Sequence, residues 1–215
     1  MNNQLRVLSV LLGAIVVVAT YTFPLWQPYL GLIPGRSETA VLGLPPELSE
    51  QISLLPPGQL AALRELAEED PDMARSLAIA QISRDDFVDE EEPTELGQQR
   101  VILGDFVPAD DVLQAEGQLT IYETANGDFI LRLDNLDVTN IDGLSIYFSG
   151  QRAPLTGEEM QQDENYYRLI ELRGNAGNQN YNIAPEVDLD SYNSVVIYSE
   201  ALDIVVGYAA FTTRL

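Results

Sequence analysis

The 215-residue chain contains no cysteine, no histidine and no lysine, and its 11 basic residues are all arginine. Those absences remove whole chemistries. Without Cys or His there is no thiolate nucleophile, no zinc site of the usual kind, no iron–sulfur ligation and no Ser-His-Asp triad. Without Lys there is no Schiff base, no pyridoxal phosphate anchor and no phosphate-loop lysine. What remains is carboxylate, hydroxyl, phenol and guanidinium, and no catalytic or metal-ligating residue is expected among them. The lack of Cys leaves the redox compartment open, since exported proteins can also lack disulfides. Positive charge is scarce too: 34 acidic residues face 11 basic ones, a formal net charge of -23. Such a surface repels phosphate backbones, which argues against a nucleic-acid partner, and it draws cations and basic proteins. Hydrophobic residues, at 46%, suffice for a packed core.

One long apolar run is present, from Leu5 to Phe23, interrupted only by Arg6 and small hydroxyls. About 20 such residues at a rise of about 1.5 Å cross a bilayer core. Tyr21, Phe23, Trp26 and Tyr29 crowd its far end, where aromatic rings favour the interface. Arg6 precedes the run and acids dominate after it, so the bulk of the chain is expected outside the cytoplasm. The rival reading is a cleaved signal peptide, with Val17 and Ala19 as the small residues before the cut. Residues 1–30 are therefore expected to be a single-pass membrane anchor or a signal. No Cys follows the run to carry a lipid.

Residues 31–82 read as a short helical segment. Pro46 opens one helix with Leu48 and Ile52 on a face and Leu55 near its end, and Pro57 opens a second with Leu60, Leu63 and Leu66. Asp70 and Pro71 cap and start a third, which carries Leu77 and Ile79. Residues 83–100 hold Asp85, Asp86, Asp89, Glu90, Glu91, Glu92 and Glu95, a run that reads as a solvated, extended linker.

From residue 101 to 215 the period becomes twofold. Strands are expected at Ile102–Phe106, Gln118–Glu123, Asp128–Leu133, Leu144–Ser149, Tyr167–Leu172, Tyr181–Ile183, Ser194–Ser199 and Ile204–Phe211. In the third, Phe129, Leu131 and Leu133 alternate with Ile130 and Arg132, as in a strand with one core face. Asn126-Gly127 marks a hairpin turn in which both residues accept positive φ. Asp142-Gly143 and the stretch GNAGNQN at 174–180 mark loops. About eight short strands without a long helix point to an antiparallel β-sandwich or barrel.

The phrases GDFVPADDVLQAEGQLTIYE, LRLDNLDVTNIDGLSIYFS and LIELRGNAGNQNYNIAPEVDLDSYNSVVIYSEALDIVVGYAAF carry a family likeness. Residues 101–215 resemble the DM-thirteen domain, described as an electron-transfer module attached to cell-surface proteins. The most specific phrases are G-x-x-G-x-Q-x-Y at Gly174–Tyr181 and S-V-V-I-Y at Ser194–Tyr198. An N-terminal span, a Pro- and Leu-rich helical piece and an acidic spacer also resemble the membrane-anchored bacterial members. The resemblance implies a Cys after the S-V-V-I-Y strand, where this chain has Ser199. It also implies His residues near Leu113 and Asp203, which this chain lacks. Ser199 is thus the candidate cofactor position inherited from the family, but a hydroxyl neither cycles to a disulfide nor ligates iron as a thiolate does.

Other constellations have plain structural readings. Asp134, Asp137 and Asp142 with Asn135 and Asn140 are rich in oxygen, but their spacing does not match a calcium loop and Asx residues form turns. Asp188 and Asp190 are expected to face solvent from a strand or its edge, and nothing fixes their separation for glycosidase chemistry. Ser199 beside Glu200 lacks any His or Lys to activate it. Tyr122, Tyr147, Tyr166, Tyr167, Tyr181, Tyr192, Tyr198 and Tyr208 could include redox phenols, with core packing as the default. The expectation is a non-catalytic interaction or structural module on a membrane anchor, with a protein partner and no cofactor of its own. The alternative is a redox accessory whose prosthetic group is held by hydroxyl, carboxylate or backbone groups, or by a partner.

Overall fold

The computed structural model describes residues 42–93 and 96–214. The expected span at Leu5–Phe23 lies outside these residues, and among the described residues no helix is long and apolar enough to cross a membrane.

The three Pro-initiated helices form where expected: α1 (Pro46–Ile52), α2 (Pro57–Glu69) and α3 (Pro71–Gln81). Each carries Pro in its first turn, where the ring costs no intrahelical hydrogen bond. Asp70 caps α3 by accepting from the Met73 amide at 2.9 Å. Ile52, Leu63, Ala74, Leu77 and Ala78 are buried in the same apolar cluster as the sheet residues Leu119, Ile121 and Leu131. The helical segment therefore shares the core of the β-domain. Ile79, paired with Leu77 in the sequence reading, is exposed instead.

Ten strands follow: β1 (Phe87–Asp89), β2 (Leu96–Pro108), β3 (Ala115–Thr124), β4 (Phe129–Val138), β5 (Leu144–Ser149), β6 (Tyr166–Glu171), β7 (Ala176–Ile183), β8 (Ser194–Ser199), β9 (Ile204–Ala210) and β10 (Thr213–Arg214). Nine form one path in the order β1-β7-β4-β3-β2-β9-β8-β5-β6, and β10 pairs with β2. The result is a curled, open half-barrel rather than a closed barrel or two separate sheets. Its bend is made by β2, which pairs with β3 through Asp105 and with β9 from Phe106 onward. All eight expected strands are present. The sheet is not wholly antiparallel, because β1 runs parallel to β7. A short helix, α4 (Gly157–Gln162), is started by a capping box between Thr156 and Glu159.

Three local readings change. The β3–β4 hairpin forms, but only Gly127 takes positive φ (84°) and Asn126 does not. From Ala176 the GNAGNQN stretch is strand β7, not loop. Asp188 and Asp190 are exposed as expected but sit at the short 3-10 turn Leu189–Ser191, where Asp188 accepts from the Asp190 amide.

The largest change concerns the acidic run. Residues 87–89 pair with 176–178 of β7, and the Glu90 amide donates to the Asn178 carbonyl at 2.9 Å. Residues 87–90 are thus docked on the sheet edge, and residues 96–100, also expected to be linker, are the first part of strand β2 paired with β3. Arg132, expected to face solvent, is only 4% exposed because residues 90 and 91 lie over it.

Candidate functional site

Strands β5 and β8 are antiparallel neighbours in which Tyr147 faces Val196 and Tyr198 faces Ser145. Twofold alternation then sorts their side chains. Ile146, Phe148, Val195 and Ile197 enter the main core, whereas Tyr147, Val196 and Tyr198 gather with Met160 and Val205 on the other face. Helix α4 supplies Met160 to this second cluster. The Tyr147 and Tyr198 rings meet edge to face, 5.5 Å between centroids, and Tyr166 of β6 leans on Tyr147 at 6.2 Å.

Each of the two inner phenols donates to a carboxylate: Tyr147 to Glu200 and Tyr198 to Asp203. Asp203 adopts φ 57° in the turn between β8 and β9, a left-handed conformation that Asp tolerates. Its other oxygen accepts from Gln161 Nε2 of α4 at 3.0 Å. The close approach of α4 requires Gly157, since a Cβ there would collide with Asp203. Burial, reinforced by the neighbouring carboxylates, raises both phenols: Tyr198 is pushed up to about 12 and Tyr147 higher still. Tyr147, Met160, Gln161, Tyr166, Tyr198 and Glu200 line a cleft of about 180 Å³. Arg168 stands 3.9 Å from Glu200.

Ser199 lies between Tyr198 and Glu200 in sequence, yet its side chain points the other way. It is fully buried, and its hydroxyl donates to the Asp142 carbonyl at 3.1 Å while accepting from the Leu202 amide at 3.4 Å. It does not line the cleft. A small hydroxyl closing its own turn does not fit a prosthetic group. Leu113, near one expected family His, is buried in the main core, whereas Asp203, near the other, reaches the cleft through Tyr198.

The oxygen-rich set is not brought together. Asp134 pairs with Arg132 at 2.7 Å, Asp137 accepts from Gln114 Nε2 at 2.8 Å, and Asp142 contributes its carbonyl to Ser199. Among the described residues no three acids converge as a metal site. Burial, with Asp85 and Glu116 nearby, raises the Asp137 carboxyl. Of the remaining tyrosines, Tyr192 packs on Phe148 at 5.4 Å and Tyr181 supports Arg173.

A protein-family model described as electron transfer DM13 matches residues 109–211. This β-domain belongs to the DM13 family. The match runs from the β2–β3 connection to the end of β9, so it contains α4, the cleft and Ser199, while α1, α2, α3, β1 and β2 precede it. Comparison with curated proteins finds no match, and neither does comparison with solved structures. The DM13 resemblance drew attention to Ser199, but the cleft beside it was missed. Its only sequence signal was the placement of acids two and five residues after Tyr198. The partner phenol, Tyr147, comes from another strand.

Proposed function

We propose that this chain displays its DM13 domain outside the cytoplasm on a single N-terminal anchor and uses it as a non-catalytic interaction module. The observation that carries this reading is the division of labour around Ser199. The residue at the family's sulfur position is sealed into its own turn, while an open aromatic and acidic cleft lies on the opposite face of the same strand. Three phenol rings with Glu200 at the mouth suit a cationic group, because ring faces and carboxylates both attract positive charge. A net charge of -23 steers basic partners toward the domain. The partner chemistry that fits is an arginine- or lysine-bearing protein segment.

The test is titration of the full-length protein in detergent with an arginine-rich peptide, read by nuclear magnetic resonance of the tyrosine rings. Tyr147, Tyr166 and Tyr198 signals should shift, and Glu200→Gln should weaken the effect. Shifts spread evenly over all tyrosines, or robust turnover by the protein, would reject the reading. Protease digestion of intact cells tests the topology: cleavage of the domain from outside is the expected outcome, and full protection contradicts it.

A redox accessory is the second reading, favoured by the two phenol–carboxylate pairs and by the description of the DM13 family. When such a phenol gives up an electron to a one-electron acceptor in a partner, its proton passes to Glu200 or Asp203, leaving a neutral tyrosyl radical. Chemical oxidation should then yield a tyrosyl signal in electron paramagnetic resonance that is lost in Tyr198→Phe or Tyr147→Phe. A silent spectrum in the unaltered protein counts against it.

A further inference from the structure

The phrase G-x-x-G-x-Q-x-Y at residues 174–181 contributes no residue to the lining of the tyrosine cleft. Its residues build a groove along β7. Gly174 and Gly177 leave the space into which another backbone fits, for a Cβ at either would collide with the backbone of Asp86 or Val88. Gly177 also holds φ 101°, where side chains are strained. Gln179 donates to the Gly174 carbonyl at 2.7 Å and accepts from the Tyr181 hydroxyl at 2.6 Å. The Tyr181 ring lies under the Arg173 guanidinium at 4.5 Å, and Arg173 also donates to the Asn180 carbonyl at 2.6 Å. These contacts are made among the groove residues themselves.

The segment in the groove is read by its acids. Asn175 Nδ2 donates to Asp85 at 2.8 Å and Asn178 Nδ2 to Asp89 at 2.8 Å. Arg173 grips Glu90 with both forks, at 2.5 and 2.9 Å, and the Asn180 amide donates to the same carboxylate at 2.7 Å. Arg132 Nη1 donates to the Glu90 carbonyl at 2.8 Å. The occupant itself adds nothing to the core: no residue from 83 to 93 is buried, and Phe87 is 68% exposed. Main-chain pairing plus side-chain pockets, without core burial, is how a sheet edge takes a peptide.

We infer that the β7 edge is a binding groove for an extended, carboxylate-rich segment of a partner protein, with residues 85–92 as its built-in occupant. The groove residues lie inside the DM13 match and the occupant lies outside it. The family-matched segment therefore carries the groove residues, and the strand that fills the groove lies before it in the chain. Charge complementarity names the chemistry: Arg173 pairs with the Glu90 carboxylate, and Asn175, Asn178 and the Asn180 amide add donors to acids, while Arg132 fixes the backbone of residues 90 and 91. This surface is separate from the tyrosine cleft and stands whether or not the cleft binds anything. A tethered occupant acts at an effective concentration on the order of millimolar, so a partner segment must outcompete it.

The probe is a labelled peptide of residues 84–93. Its receptor is the full chain carrying Val88→Pro and Glu90→Ala, which strip the resident strand of a ladder donor and its principal carboxylate. That variant should keep its circular dichroism spectrum and bind the peptide at least about tenfold more tightly than the unaltered chain does, as expected when a tethered competitor is removed. Adding Arg173→Ala should cost a further loss of about tenfold, the scale of a hydrogen bond to a charged group. A folded variant that binds the peptide no better than a scrambled one overturns the inference. If the variant does not fold, hydrogen exchange of the unaltered chain decides. Peptide at about 1 mM, matching the tethered concentration, should speed exchange at the Val88 and Glu90 amides while Leu131 and Leu133 stay protected. Unchanged exchange at Val88 and Glu90 overturns it equally.

Discussion

Arg132 shows how a single residue can mislead a pattern. It sits at the polar position of an alternating strand, yet its guanidinium is buried between Asp134, the Glu90 and Glu91 carbonyls and Asn180. Arg132→Ala would leave those acceptors unpaired, and a loss of about 1–3 kcal/mol is expected by denaturant unfolding. Ser199 makes the complementary point. Ser199→Cys should fold nearly as well, because the turn keeps a small polar group, and its thiol should ignore thiol reagents until the protein is denatured. Rapid native labelling would show that the site opens more than the structure allows. Tyr198 offers a pH test. Its phenol lies above the ordinary value of 10.0, at about 12, so this contribution to stability is full below pH 10 and is lost as pH rises through 12. Asp203→Asn should lower that value, measured by phenolate absorbance, because it removes a carboxylate that disfavours ionisation.

At the scale of elements, β1 is the informative case. The acidic run around it has no apolar period and a high density of like charge, the signature of a solvated linker. β1 becomes a strand because β7 supplies donors for its carboxylates. The Arg173 fork on Glu90 holds that carboxyl below its ordinary value of 4.5. The stability it lends is complete above that ordinary value and is lost as pH falls through the lower folded value. Acid should therefore release β1 before the central strands, seen as faster exchange at Val88 and Glu90 than at Leu131. Uniform exchange across the sheet would argue against a separable strand. The helices behave differently, because their starts are written locally: Asp70→Ala should cost about 1 kcal/mol, the usual worth of an N-cap.

Across the whole molecule, 34 acids stand against 11 arginines. Mutual repulsion opposes the compact state and is screened within about 10 Å at about 0.1 M salt. The melting temperature should rise as sodium chloride is added from low ionic strength, and a flat response would mean that local pairing already neutralises the field. Helices and sheet share one apolar cluster, so the helical segment is expected to melt with the β-domain in a single transition. Two separate transitions in calorimetry would contradict that.

Much of the fold was legible from local signals. Pro and Asp marked helix starts, and alternation marked eight strands, two of them, Leu144–Ser149 and Ser194–Ser199, to the residue. The absences of Cys, His and Lys limited the chemistry before any contact was known. Neighbourhood was another matter. A period of two tells which side chains share a face, but not which strand will lie beside them. Only the folded sheet set Tyr147 against Tyr198, turned Ser199 inward and drew an acidic run onto β7. Each of those depends on backbone pairing between segments distant in the chain, which no local propensity encodes.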